Sequence, residues 1–233
     1  MRARHDVLRQ LLAGICEVRP RQRVLIAIDG LDGAGKTTLA EELVALGIEA
    51  SVPCTLGNAT PATGHRSLAR VSIDGFHHPR ARRYANGRGP QSFYRDSYDY
   101  EAFARSVVTP FKDGLPIVPA VWDVDADAPL PHTELDLPQD CILLIDGVFL
   151  HRPELRDLWD ASVWVDVPFE VSVPRGNQRY PEAYDRDPEA ESNRRYVEGQ
   201  RLYFAQCSPW DLATWRLDNT DLDEPVLRSI NPP

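Results

Sequence analysis

Apolar residues recur at helical spacing at Val7, Leu8, Leu11, Leu12, Ile15 and Val18, which predicts an N-terminal helix over about residues 1–19 that ends before Pro20. The period then changes. Val24 to Ile28 is an unbroken apolar run of strand length, followed by a glycine-rich turn and a helical stretch from Thr38 to about Leu46. Ser51 to Gly64 is rich in Pro, Gly, Ala and Thr and reads as an irregular excursion. Leu68 to Ile73 is strand-like and ends at Asp74-Gly75-Phe76-His77, and the aperiodic polar and aromatic stretch from Pro79 to Tyr98 reads as a substrate-side loop. Phe103, Val107 and Phe111 mark a helix across Tyr100 to Phe111. Ile117 to Trp122 reads as a short strand, and Asp123 to Asp140 as an acidic, proline-rich loop. Cys141 to Ile145 is wholly apolar, the pattern of a buried parallel strand, and ends at Asp146-Gly147. Pro153 suits the first position of a helix from Glu154 to Asp160, Ser162 to Asp166 forms a further strand, and Trp215 to Asp218 a last short one. Between them, Pro174 and Pro188 interrupt a partly helical segment from Pro168 to Tyr203. Strands alternating with helices predict an α/β fold with a parallel sheet covered on both faces.

A chain of 233 residues supports one substantial core, so a single domain over 1–233 is expected. Composition narrows the partners. No apolar run has membrane-spanning length, and the first residues lead into an amphipathic helix rather than a signal peptide, so a cytoplasmic location and no membrane partner are expected. Asn58-Ala59-Thr60 matches a glycosylation acceptor that a cytoplasmic chain does not use. Cys16, Cys54, Cys141 and Cys207 lie far apart, with neither metal-ligand spacing nor a C-x-x-C motif, and read as reduced structural thiols. A net charge of −9 argues against the broad basic surface that nucleic acid requires. A small anionic substrate needs only local positive charge, and Arg80, Arg82, Arg83, Arg88 and Arg95 form one cluster, with Arg175, Arg179, Arg194, Arg195 and Arg201 another. A homo-oligomer is compatible with this composition.

The most informative stretch is Gly30 to Thr37, G-L-D-G-A-G-K-T, between the first strand and its following helix. Strand, glycine-rich turn and helix in that order let backbone N–H groups converge on a nucleotide's phosphates. Gly30, Gly33 and Gly35 lack a Cβ, so the chain is free to take φ > 0 and to approach the phosphates closely. The nucleotide-binding residues are therefore Gly30, Leu31, Asp32, Gly33, Ala34, Gly35, Lys36, Thr37 and Thr38. Lys36 supplies a charge to the β- and γ-phosphates, and the Thr37 hydroxyl is placed to ligate Mg²⁺, which makes ATP and Mg²⁺ the expected cofactors.

Asp29, Asp74 and Asp146 each end a strand-like run, where open α/β sheets bind ligands. Asp146 is the candidate to hold Mg²⁺ with Thr37, against a turn role before Gly147. Asp29 reads as structural. Asp74 reads either as the general base for an acceptor hydroxyl or as part of an Asp-Gly turn. Asp99 reads either as a hydrogen-bonding partner of acceptor hydroxyls or as a helix N-cap.

These motifs together, with Tyr98-Asp99-Tyr100-Glu101-Ala102-Phe103, Val121-Trp122-Asp123 and Ile145-Asp146-Gly147, resemble the uridine kinase-like family of P-loop small-molecule kinases over about residues 23–221. Arg195 to Tyr203 and Asp218 to Asp221 look like C-terminal segments of its bacterial members. The resemblance implies a three-layer P-loop NTPase sandwich with a five-stranded parallel sheet, and a mobile arginine-bearing lid, here about residues 168–203. It also implies phosphoryl transfer to a nucleoside-like alcohol, with Asp74 as base, Asp99 on ribose hydroxyls, and Arg175 and Arg179 as catalytic lid residues beside Lys36. Arg175 and Arg179 read alternatively as a solvated helix face.

Two positions depart from the family pattern. Asp127 stands where its pyrimidine kinases carry a His, which would suit a donor-bearing or cationic acceptor, and Arg179-Tyr180 replaces the usual Arg-Asp pair, with Pro174 before Arg175. Phe76, Tyr84, Phe93, Tyr94, Tyr98 and Trp122 could stack on an acceptor ring, with Phe76, Tyr84 and Trp122 the candidates on the acceptor side (75–98 and beyond). Aromatic residues are more often buried for area, so most read as packing and at most one or two as platforms. A GTP switch would carry N-K-x-D, which is absent. A nucleotide-binding regulator without turnover is the remaining alternative.

Overall fold

The computed structural model describes residues 2–51 and 66–231. Most of the irregular excursion, with Asn58-Ala59-Thr60 and Cys54, lies outside the described residues. In chain order the chain forms α1 (Arg2–Cys16), β1 (Val24–Gly30), α2 (Lys36–Ser51), β2 (Leu68–Ser72), α3 (Arg80–Arg83), α4 (Pro90–Asp96), α5 (Tyr100–Phe103) and α6 (Thr109–Lys112). It continues through β3 (Trp122–Asp123), β4 (Ala128–Pro129), β5 (Ile142–Gly147), β6 (Ala161–Asp166), α7 (Phe169–Asn177), α8 (Arg194–Cys207), α9 (Pro209–Leu212), β7 (Trp215–Asp218) and β8 (Val226–Ser229).

The main sheet has the order β2-β5-β1-β6-β7-β8. Its first five strands are parallel, as the family resemblance implies, and β8 adds an antiparallel edge on β7. Burial explains why β1 and β5 read as continuous apolar runs: Val24 to Ile28 and Ile142 to Ile145 are all 0% exposed, since helices cover both faces. On one face Leu25, Leu143 and Ile145 pack with Phe76, Phe103, Phe149 and Tyr203; on the other, Ile26, Ile142 and Val163 pack with Leu11 and Ile15 of α1 and Leu39 and Leu43 of α2. The result is the three-layer α/β sandwich.

Several local expectations change, each for a physical reason. Pro79 to Tyr98 is not a plain loop but carries the short helices α3 and α4. The helix from Tyr100 widens to π geometry over Ala104–Val108 between α5 and α6. Pro110 has no N–H, which frees the Ser106 carbonyl, and that oxygen accepts the Val118 amide at 2.8 Å instead. Ile117 makes only an isolated bridge to Leu135, because Pro116 and Pro119 cannot donate to a ladder, and the strand reduces to a β3–β4 ribbon. The expected helix after Pro153 shrinks to one 3₁₀ turn at Arg156–Leu158. Asp160 is already locked to β1, donating its amide to the Leu25 carbonyl and accepting the Leu25 amide at 2.8 Å, so too few residues remain for a helix.

Asp29, read as structural, is fully buried and gathers four donations. The Gly30 amide donates to Oδ1 at 2.8 Å; the Tyr203 hydroxyl and the His151 Nδ1–H donate to Oδ2 at 2.5 and 2.7 Å, and the His151 amide adds a longer contact of 3.2 Å. Counting contacts of separate groups, the donors are the Gly30 amide, the Tyr203 hydroxyl, and the amide and ring of His151. His151 Nε2 in turn meets Ser162 Oγ of β6 at 2.8 Å. Burial and the Asp29 charge raise the Tyr203 pKa well above its ordinary value, so the hydroxyl remains a donor. Tyr203→Phe removes one donor from a buried carboxylate and is expected to lower stability by about 1–3 kcal/mol. Urea unfolding checks this, and a native midpoint in the variant would show that the hydroxyl is dispensable.

Candidate active site

The glycine-rich turn between β1 and α2 owes its path to two positive-φ residues, Gly33 at φ 76° and Gly35 at φ 92°. Gly33 lies so close to α7 that a Cβ there would sit 2.1 Å from the Ser172 carbonyl oxygen. Gly30 has a different requirement from the one expected: it belongs to β1, and a Cβ would stand 2.6 Å from the Val165 carbonyl of β6. The Ala34 carbonyl accepts Asn219 Nδ2 at 2.8 Å, and the Asp32 amide donates to Gln200 Oε1 of α8 at 2.7 Å. Lys36 donates its ammonium to the Leu31 carbonyl at 2.6 Å. The first amides of α2 have no intrahelical acceptor and face the end of the turn, where an anion satisfies them.

Above the turn lies a cleft of about 280 Å³ walled by Asp32 to Thr38, Asp74, Asp146, Arg175 and Arg179. The structure thus brings together most of the residues read as nucleotide-binding, metal-binding and catalytic. Gly30 and Leu31 are not part of its wall; Leu31 is buried beneath it. The Thr37 hydroxyl donates to Asp146 Oδ2 at 2.9 Å, and Asp146 is 1% exposed. Two hard oxygen donors at that spacing, one a carboxylate, fit Mg²⁺, which is commonly held by one or two carboxylates together with substrate phosphates. Arg70 of β2 compensates the same carboxylate, its Nε donating to Oδ1 at 2.7 Å. Nothing in the sequence distinguished Arg70, whose role depends on β2 lying beside β5.

Asp74 is exposed at the start of a 3₁₀ turn, Ile73–Phe76, that follows β2. The Tyr98 hydroxyl donates to its Oδ1 at 2.9 Å. Burial first, and then the Asp74 charge, raise the Tyr98 pKa well above its ordinary value, which keeps that hydroxyl protonated. His77 stacks on Tyr98 with ring centroids 4.4 Å apart, and burial lowers its pKa. Neutral His77 then donates Nδ1–H to the Asp74 carbonyl at 2.8 Å.

The acceptor-side candidates scatter. Phe76 is 0% exposed and packs edge-on against Phe103, so no face of its ring is open to an acceptor. Tyr84 is half-buried with Arg83, Arg88 and Arg195 on its ring, and does not line the cleft. Asp99 is an N-cap, its Oδ1 accepting the Ala102 amide at 2.8 Å while Oδ2 lies 3.7 Å from His78 Nδ1. Trp122, half-buried in the β3–β4 ribbon, also stands outside the cleft wall. Asp127 accepts the Arg80 amide at 2.7 Å and pairs with Arg83 at 3.7 Å, so its charge is already answered by protein and is not available for a cationic acceptor.

Arg175 does not reach out as a solvated face: it donates to the Asn219 and Thr220 carbonyls at 2.9 and 2.5 Å. Arg4 of α1 also joins the wall, donating to Asn219 Oδ1 at 2.9 Å and pairing with Glu42 at 2.6 Å. Sequence reading took α1 for packing alone, since no local signal marks Arg4.

A parallel sheet whose central strand runs through a glycine-rich turn into a helix, with α7 and α8 packed over that turn, is the P-loop kinase architecture. The resemblance to uridine kinase-like P-loop kinases holds in sequence and in fold. The chain is 23% identical over 156 residues to a uridine kinase from Shewanella frigidimarina, a match covering 66% of this chain and 68% of that protein. It is 31% identical over 109 residues to a pantothenate kinase from Clavibacter michiganensis, covering 41% of this chain and 32% of that protein. A solved structure described as a possible uridine kinase from Bacillus stearothermophilus superposes with a TM-score of 0.67 at 23% identity, over 91% of this chain and 98% of that one. No protein-family model matches the sequence. Among the described residues, no helix is long and apolar enough to cross a membrane.

Gly33→Ala tests the fit between turn and helix. The added methyl meets the Ser172 carbonyl in a backbone conformation that itself costs about 1–3 kcal/mol. Fluorescence titration with a nucleotide is expected to show roughly ten- to hundredfold weaker binding in a folded variant; native affinity would show that the turn and α7 separate freely.

Proposed function

We propose that the protein transfers the γ-phosphoryl group of ATP, with Mg²⁺, to a hydroxyl of a nucleoside-like small molecule. One observation carries the reading: Asp74 shares a wall with Lys36 and Thr37, its carboxylate fixed by a buried tyrosine hydroxyl. The acceptor oxygen attacks the γ-phosphorus, its proton passes to Asp74, and the bond from that phosphorus to the bridging oxygen breaks to release ADP. The Tyr98 hydroxyl holds Oδ1 of the base, leaving Oδ2 to take the proton.

Lys36 exchanges the Leu31 carbonyl for phosphate oxygens, where its charge has a stronger partner. Thr37 and Asp146 would hold Mg²⁺, which neutralises charge on the β- and γ-oxygens. Arg179 is exposed on the cleft wall and is the lid cation placed to meet the transferred group, while Arg175 braces the 219–220 loop. Asp99 keeps Oδ2 for an acceptor hydroxyl, a role compatible with its cap.

Acceptor-dependent ADP release from a panel of small alcohols tests the proposal. Asp74→Asn is expected to keep nucleotide affinity and to lose about 10²- to 10⁴-fold in turnover. Lys36→Ala is expected to weaken nucleotide binding itself. Near-native single-turnover transfer by Asp74→Asn would remove Asp74 from the role, and nucleotide binding without acceptor-dependent release across the panel would favour a regulator.

A further inference from the structure

Three guanidinium groups converge on one ring outside the nucleotide cleft. The Cζ atoms of Arg88, Arg195 and Arg83 lie 4.9, 5.0 and 5.6 Å from the Tyr84 centroid. Like charges gathered this way repel one another, and the chain as a whole carries a net charge of −9. Even so, among the described residues neither Arg88 nor Arg195 forms an ion pair, and Arg83 has only Asp127 at 3.7 Å.

Arg83 is the least satisfied of the three. Its side chain is 11% exposed, and its buried Nε has no hydrogen-bond partner among the described residues. A guanidinium removed from water needs acceptors for its donors, and Asp127 already gives Oδ1 to the Arg80 amide. Arg195 uses Nη1 to fix its place, donating to the Gly89 carbonyl at 3.0 Å and to Ser92 Oγ at 2.7 Å.

The position of the cluster indicates what it serves. Arg83 is near enough to His77 for its charge to help lower the imidazole pKa, His77 stacks on Tyr98, and Tyr98 holds Asp74. None of Arg83, Arg88 and Arg195 lines the nucleotide cleft. The cluster therefore lies outside the nucleotide cleft and is linked to Asp74 through His77 and Tyr98.

We infer that these arginines bind an oxyanion carried by the acceptor, so that the substrate is an alcohol bearing a carboxylate or a phosphate, with Arg83 and Arg88 determining specificity. The inference rests on the phosphoryl-transfer reading of Asp74. Arginine forks match either oxyanion through paired N–H donors, and a bound anion supplies the acceptors that Arg83 lacks.

The test compares charged and uncharged alcohols in an ADP-release assay on the full chain: pantothenate against panthenol for a carboxylate, and ribose 5-phosphate against ribose for a phosphate. One charged member is expected to exceed its uncharged partner by about tenfold or more in kcat/KM, and the pair that shows it identifies the oxyanion. Arg83→Gln and Arg88→Gln are each expected to raise KM for that acceptor about tenfold with kcat little changed, and to leave the uncharged partner unaffected. Arg83→Lys, which keeps charge without the fork, is expected to fall between. Arg88 is exposed, so its variant is folded whatever Arg83→Gln does.

Turnover that favours the uncharged member of both pairs, or a charged-acceptor KM that neither Gln variant moves, overturns the inference. Calorimetry with pantothenate and ribose 5-phosphate, on native protein and the Arg83→Gln/Arg88→Gln double variant, decides the case in which nothing is turned over. Binding that the double variant loses upholds the oxyanion site and rejects only phosphoryl transfer; binding that is absent, or unchanged in the double variant, overturns the site.

Discussion

The buried carboxylate of Asp29 ties the glycine-rich turn and the helix over it to the sheet. It ends β1 one residue before the phosphate-binding turn, and its Oδ1 takes the Gly30 amide, which fixes the direction in which the chain leaves the strand. Its Oδ2 takes the Tyr203 hydroxyl of α8 and the imidazole of His151. A charge in that position is tolerated only because its lone pairs are occupied by donors from separate elements. The turn, the helix that packs over it and the link between β5 and β6 therefore share one anchor. Gln200, on the same helix as Tyr203, then reaches the Asp32 amide, so that α8 grips the turn at a second point.

Within the cleft, charge is balanced before any ligand arrives. Asp146 is nearly inaccessible to water, yet Arg70 and the Thr37 hydroxyl both answer it. Lys36 is buried and turned onto a backbone carbonyl. Each of these contacts is one that a phosphate chain and its cation can replace with a stronger partner, so binding exchanges satisfied groups for better-satisfied ones and leaves none stranded. Such preorganisation spares the site the cost of ordering flexible side chains when the nucleotide binds.

The cleft around the glycine-rich turn was legible in the sequence and the surroundings of the acceptor-side candidates were not, for a physical reason. The turn, Lys36 and Thr37 lie within one short stretch whose backbone geometry is dictated by glycine and whose flanks carry clear periodicity. Asp74 and Asp146 were singled out because parallel strands end on one edge of the sheet, and both lie on the cleft wall. The acceptor-side candidates sit on or beside α3, α5 and the β3–β4 ribbon, short elements weak in period, and there the residue types misled. Phe76, a candidate platform, takes the packing role expected of most of the aromatics, and Asp127 looked free but is held by Arg80 and Arg83. Arg4 and Arg70 carried no local signal at all, since each acquires its place only through tertiary packing. Prolines decided two further differences, Pro110 by widening a helix and Pro116 and Pro119 by preventing a strand.

Arg175 and Arg179 show how one spacing produces two different settings. Arg175 and Arg179 are four residues apart and would share a face on an unbroken helix. Helix α7 ends at Asn177, so Arg179 falls on the turns beyond it and the shared face is lost. Arg175, still helical, directs both terminal nitrogens to the carbonyls of Asn219 and Thr220 and so holds the loop whose Asn219 amide supports Ala34 of the turn. Arg179 has no such commitment among the described residues and stays exposed on the cleft wall. A cation that braces backbone is ill suited to follow charge as it develops, because moving it would release the loop. The exposed arginine is under no such restraint, and its neighbour Tyr180 is not a carboxylate that would pair with it.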